Sequence, residues 1–248
     1  MRTHRQMMLD ANAKPQTINR RLAALAVYGQ WACQAGEISR NPVQNVRSIA
    51  RSGQPVPKWL DKRQRAALVR TVEKDVQAAR HRFPRLWVLR LRDATIVLVL
   101  LNTGLRVGEL CALRLSDIHL SERKGFVVVR AGKGLKQRTV PLNPQARQAL
   151  SAWLESRPEI ATDALFIGQR DRPITSAAAQ RAVARAAQIA GLPSVTPHVL
   201  RHSFAKALID EGVTMEKVAT LLGHSSLNTT RIYTTPGDEE LGEAVERL

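Results

Sequence analysis

Cysteine is nearly absent from this chain: Cys33 and Cys111 are the two present, far apart and in no zinc-ligand spacing. That usage fits a reduced, cytoplasmic setting. Long apolar runs are missing as well. The longest, Ala94–Leu101 with one threonine, is too short to span a bilayer, and no signal peptide is apparent. Internal repeats and low-complexity segments are absent. Acidic residues are in short supply, 21 against 38 Lys and Arg, which leaves a net charge of +17 and a pI near 11.2. Such an excess calls for a polyanionic partner, and nucleic acid is the default.

The charge is unevenly placed. Residues 1–55 carry a net +6, residues 56–235 a net +15 and residues 236–248 a net −4. An acidic tail is repelled by phosphate, so it is expected to touch protein. RSGQPVPK, residues 51–58, interrupts the helical patterns on both sides with Gly53, Pro55 and Pro57, and marks a domain boundary. Before it, Thr17 is expected to cap a helix running to about Gln34, with Ile18, Leu22, Leu25 and Ala26 on one face. Arg20 and Arg21 lie off that stripe, within reach of phosphates.

The chemistry concentrates in TPHVLRHSFAKALIDEGVTMEKVATLLGHSSLNTTRIY, which places His198, Arg201, His224 and Tyr233 in order. Arginine offers a planar fork of donors that fits phosphate oxygens and stays charged at any working pH. Tyrosine is a weak nucleophile that needs neighbours to activate it. Thr196 as N-cap and Pro197 at the first position predict a helix ended by Gly212, with His198 and Arg201 on one face and Leu200, Phe204 and Ala207 turned to the core. A second helix is predicted from Thr214 to Gly223, burying Val218, Leu221 and Leu222. Ser226 is expected to cap a third, carrying Tyr233. Taken alone, His-x-x-Arg is common on solvated helix faces.

Upstream, the chain reads DATIVLVLLNTGLRVGELCALRLSDI. Residues 94–101 are apolar on nearly every face, as in a helix buried in a sizeable core. Thr103-Gly104 ends that helix, and Arg106 opens the next, with Glu109 one turn on. By itself this is an i,i+3 ion pair worth a few tenths of a kcal/mol. Phe126–Arg130 and Arg138–Leu142 then read as a hairpin joined by AGKGLKQ, with Lys133 near the tip.

Together these segments resemble the tyrosine recombinases, the phage-integrase and Xer-type family, over about residues 56–235 and part of the preceding segment. The resemblance rests on TGLRVGEL, GKGLKQRTVPL, HVLRHSFA and LLGHSSLNTTRIY in that order. Twenty-two residues separate Arg201 from His224, and eight separate His224 from Tyr233. It implies a mainly α fold with a small antiparallel β-sheet (α+β). The domains would be a short helical core-binding module over 1–55, a catalytic domain over 56–235 and a subunit-contact helix over 236–248. The family's N-terminal module is roughly twice as long, so only its second half is expected here, either because the start is truncated or because residues 1–15 replace two helices with something shorter, and no separate arm-site domain is expected.

Residue by residue, the resemblance makes Tyr233 the nucleophile and Arg106 and Arg201 the phosphate clamp. His224 becomes a further donor to phosphate, Lys133 the acid for the leaving 5′-oxygen and His198 the base or positioning group. Glu109 supports Arg106, and Lys136, Arg138, Arg20 and Arg21 are expected on DNA. The expected activity is site-specific DNA cleavage and rejoining through a 3′-phosphotyrosyl intermediate, without metal, ATP or other cofactor. The expected partners are double-stranded DNA and copies of the same chain, four on paired sites, in the cytoplasm at the nucleoid. Two alternatives share parts of this pattern: a type IB topoisomerase or telomere resolvase, and a non-enzymatic DNA-binding regulator. A metal-dependent nuclease would need clustered carboxylates, whereas the motif region offers Glu109 alone.

Overall fold

The computed structural model describes residues 2–50, 58–130, 137–223 and 230 of the 248. The chain divides into two compact units, Met1–Val56 and Pro57–Leu248. The first holds α1 (Arg2–Asp10) and α2 (Pro15–Gln34). Pro15, not Thr17, opens α2. A ring-fixed φ and a missing N–H suit the first helical position, so Lys14 stands at the cap without a side-chain bond and Thr17 falls within the first turn. The small core is Met8, Ile18, Leu22 and Val43, with Leu25 and Ala26 packed against it. Asn19 pins the returning chain by exchanging two hydrogen bonds with the Ile49 backbone, at 3.0 and 2.8 Å.

In the second unit the order is α3 (Lys62–Arg82), α4 (Pro84–Thr103), α5 (Val107–Cys111), β1 (Ile118–Leu120), β2 (Gly125–Val129), β3 (Arg138–Pro141), α6 (Pro144–Ser156), α7 (Ser176–Ile189), α8 (Pro197–Asp210) and α9 (Met215–Leu222). Asp61 and Gln64 form a reciprocal capping box at the head of α3. Apolar on nearly every face from Ala94 onward, α4 runs through the centre of the unit, buried continuously from Ala94 to Thr103, and α3, α6, α7 and α8 pack around it. Its buried threonines bond back to their own helix, Thr95 Oγ1 donating to Leu91 O at 2.8 Å and Thr103 Oγ1 to Val99 O at 2.6 Å, while Asn102 also reaches Gln145 and Asn143. Gly104 caps α4 in the left-handed conformation.

The three strands form an antiparallel meander in the order β1-β2-β3, with Val127 opposite Val140 and Val129 opposite Arg138. Val127, Val129 and Val140 face the core. The hairpin expected over Phe126–Leu142 is present, and β1 joins it as a third strand that the sequence reading did not anticipate. Thr196 caps α8 through the Val199 N–H, Pro197 takes the first position, and Gly212 turns the chain beyond its end. In α9 the buried residues are Val218, Ala219 and Leu222, while Leu221 is half-buried. The hairpin tip, the helix expected to carry Tyr233 and the acidic C-terminal helix lie outside the described residues.

Candidate active site

Three of the candidate residues, Arg106, Glu109 and Arg201, meet at the C-terminal end of α9. Arg201, one turn into α8, is 5% exposed. Its Nη1 donates to Gly104 O at 2.6 Å and its Nη2 to Leu222 O at 2.8 Å, which ties the end of α4 to the end of α9. Arg106, the cap residue of α5, sends Nη2 to Gly223 O at 3.2 Å. Arg138, the first residue of β3, sends Nε to Leu221 O at 2.9 Å. Three successive carbonyls at one helix end, Leu221, Leu222 and Gly223, are thus each taken by a different arginine. Carbonyls left without helical partners at a negative dipole end are natural acceptors for cations.

Glu109 links two of these arginines. Its Oε1 accepts from Arg106 Nη1 at 2.8 Å and Arg138 Nη1 at 3.0 Å; its Oε2 accepts from the Arg106 backbone N–H and from Arg138 Nη2, both at 2.8 Å. Burial alone would push this carboxyl up. The Arg138 hydrogen bonds, followed by the Arg106 N–H, the attraction of the Arg138 guanidinium and the Arg106 side-chain hydrogen bond, bring it down to about 2. The Arg106 side chain remains 44% exposed beside it.

His198 lies in the first turn of α8 and is exposed. His202, one turn further along, is half-buried, and burial lowers its pKa before the positive field of His198 and Arg201 lowers it further. The segment before α3 and the first turn of α3 brace this helix. The Leu60 N–H donates to Ser203 Oγ at 2.8 Å, and Arg65 Nη1 donates to Ser203 O at 2.9 Å.

The structure therefore brings Arg106, Glu109 and Arg201 together around the turn that precedes His224. Lys133, Lys136, His224 and Tyr233 lie outside the described residues. Arg20 and Arg21 are exposed on α2. Arg138 departs from its expected place on DNA. Its side chain is 14% exposed and is committed to Glu109 and Leu221, because a buried carboxylate facing Arg106 leaves room for a second cation. Sequence reasoning missed this inward role, since the residues it joins are 29 and 83 positions apart. Among the described residues, no three His, Cys, Asp or Glu side chains are grouped as metal ligands, and no helix is long and apolar enough to cross a membrane.

Residues 58–240 match the phage integrase family. The chain belongs to that family. It is 35% identical over 241 residues to tyrosine recombinase XerC of Corynebacterium glutamicum, covering 96% of this chain and 74% of the relative. Tyrosine recombinase XerA of Thermococcus kodakarensis is 43% identical over 160 residues, covering 64% of this chain and 56% of that one. Among solved structures, XerH site-specific recombinase in a post-cleavage complex with its palindromic difH substrate superposes with a TM-score of 0.78 at 26% identity, over 95% of this chain and 68% of that one. The activity of this phage integrase family member is that of a tyrosine site-specific recombinase.

Proposed function

We propose that the recombinase acts on duplex DNA with Tyr233 as nucleophile and Arg106 and Arg201 as the phosphate clamp. The Tyr233 Oη bonds to a backbone phosphorus as the bond from phosphorus to the 5′-oxygen breaks, leaving a 3′-phosphotyrosyl link and a 5′-hydroxyl. The tyrosyl proton passes to His198, directly or through water, and Lys133 supplies the proton that the 5′-oxygen gains. Negative charge grows on the non-bridging oxygens as the tyrosine attacks, so donors aimed there stabilise the transition state more than the ground state. His224 adds a donor to one of those oxygens. The covalent link conserves the energy of the phosphodiester, and rejoining to a new 5′-hydroxyl needs neither ATP nor metal.

The observation that carries this reading is the pairing of Arg106 and Arg201 on adjacent carbonyls of one turn, with His198 exposed a single turn before Arg201. Residues nearly a hundred positions apart are fixed in orientation at one place. Burial of Arg201 strengthens any anion contact it makes, because a guanidinium acts more strongly where water is excluded. Lys136, Arg20 and Arg21 contribute phosphate contacts, in keeping with the net charge of +17. Residues 1–55 serve as a helical core-binding module in the cytoplasm, and 236–248 form the helix that joins four subunits on paired sites.

A nicked suicide duplex, incubated with the protein in EDTA, tests the assignment. The parent chain should form a covalent adduct, and Tyr233→Phe should form none while retaining its DNA affinity, because only the attacking oxygen is lost. An adduct from Tyr233→Phe contradicts the nucleophile assignment.

A further inference from the structure

Arg138 lies at a junction that the reaction above does not use. It begins β3, where the segment carrying Lys133 returns to the sheet, and it stands opposite Val129. Its two terminal nitrogens grip both oxygens of Glu109, and its Nε holds the Leu221 carbonyl. Glu109 grips Arg106 with the same two oxygens. One carboxylate, 17% exposed, is therefore shared by two guanidinium groups, and the trio carries one net positive charge. Without Arg138, Glu109 would be balanced by Arg106 alone, and the pair would be neutral where a phosphate oxygen needs a cation. Leu221 O would also lose its donor, in the same turn whose next two carbonyls orient Arg201 and Arg106.

We propose that Arg138 is a positioning residue for strand cleavage, which neutralises Glu109 so that Arg106 keeps its charge for the scissile phosphate, and which fixes the last turn of α9. The idea rests on the assignment of Arg106 to the phosphate. Lysine does not replace arginine here, because one ammonium cannot meet two carboxylate oxygens and a carbonyl with a planar fork.

The discriminating substrate is a suicide duplex with a methylphosphonate at the scissile position, which carries no negative charge for Arg106 to balance. Arg138→Met should slow adduct formation on the ordinary phosphate by roughly 10- to 100-fold, the range commanded by outer partners that tune a directly acting group. On the methylphosphonate the same variant should lose distinctly less relative to the parent, keeping only the part of the loss that follows from the α9 turn. Adding Glu109→Gln to Arg138→Met removes the carboxylate that cancels the Arg106 charge and should recover part of the rate on phosphate, a coupling that independent structural losses would not show. Should Arg138→Met fail to fold in thermal unfolding, Arg138→Gln serves the same comparison, its loss again larger on the phosphate substrate. Equal losses on both substrates, or a double variant slower than Arg138→Met, would overturn the proposal. A parent chain that forms no adduct on phosphate contradicts the nucleophile assignment instead, and the role of Arg138 falls with it.

Discussion

A carboxylate that accepts four hydrogen bonds from two arginines stores a pH dependence in the site. The folded pKa of Glu109, about 2, lies below its ordinary value of 4.5, so the ionised form is favoured by the fold. A depressed acid contributes stability that is fully present above the unfolded pKa and is lost as pH falls through the folded one. That difference is worth about 3 kcal/mol. Glu109→Gln should therefore be less stable than the parent by an amount of that order above about pH 5, and the gap should close towards pH 2 in denaturant titrations compared at each pH. A gap that stays constant across this range contradicts the paired, ionised state of Glu109. Lys133 makes a prediction of a different kind. Lys133→Ala should cleave ordinary DNA slowly but should be largely rescued by a 5′-sulfur leaving group, which needs no proton. Equal loss on both substrates would make Lys133 a phosphate contact and not the acid.

Among the elements, α9 bears the greatest share of the organisation, because its last turn receives Arg138, Arg201 and Arg106. Gly223 ends it at φ +66°, and a Cβ there would lie 2.8 Å from Arg138 Nη1 and 3.0 Å from its Cζ. Gly223→Ala should cost about 1 kcal/mol for the left-handed backbone and should also slow cleavage by displacing Arg138. Gly212→Ala separates the two effects. Its φ is +78° with nothing within 4 Å of the added Cβ, so it should lose similar stability while keeping its cleavage rate. Equal cleavage by both variants would show that the turn does not depend on Arg138. The ends of α4, α8 and α9 were legible in the sequence because Thr196, Pro197, Gly104, Gly212 and Gly223 are local signals read without knowledge of the fold. Other elements lacked that clarity. Two start signals competed at α2, where Pro15 outranked Thr17. The edge strand β1 is three residues long, too short for alternation to register. The burial of Arg138 was invisible, since an arginine beside a turn that carries Lys133 and Lys136 reads as a DNA contact until a distant carboxylate is placed against it. Arg106, Glu109 and Arg201 were found through the resemblance of their motifs, while the shared carbonyls that orient them emerge only once α4, α8 and α9 are packed together.

Across the whole molecule, charge and division into units point the same way. The basic excess sits in residues 1–235, and the one acidic stretch is the tail, TTPGDEELGEAVERL, whose Leu241, Ala244, Val245 and Leu248 make one apolar stripe at helical spacing. An acidic helix finds a better partner on a basic neighbour than on DNA, and a head-to-tail contact of that kind closes into a ring. Deleting residues 237–248 should leave binding to a single site intact and remove cooperative assembly on paired sites, as read by mobility shift. If the shortened protein unfolds, or assembles as before, the helix belongs to its own domain. The central claim, that this chain joins itself to a DNA 3′ end through one tyrosine, is tested most directly by locating the bond. After the suicide duplex has reacted, trypsin should release the peptide spanning residues 232–247, in which Tyr233 is the only tyrosine. Mass spectrometry is predicted to find the nucleotide on Tyr233, attached through a 3′-phosphate, with a free 5′-hydroxyl on the departing strand. A nucleotide on any other residue, or a link to a 5′-phosphate, would contradict the account.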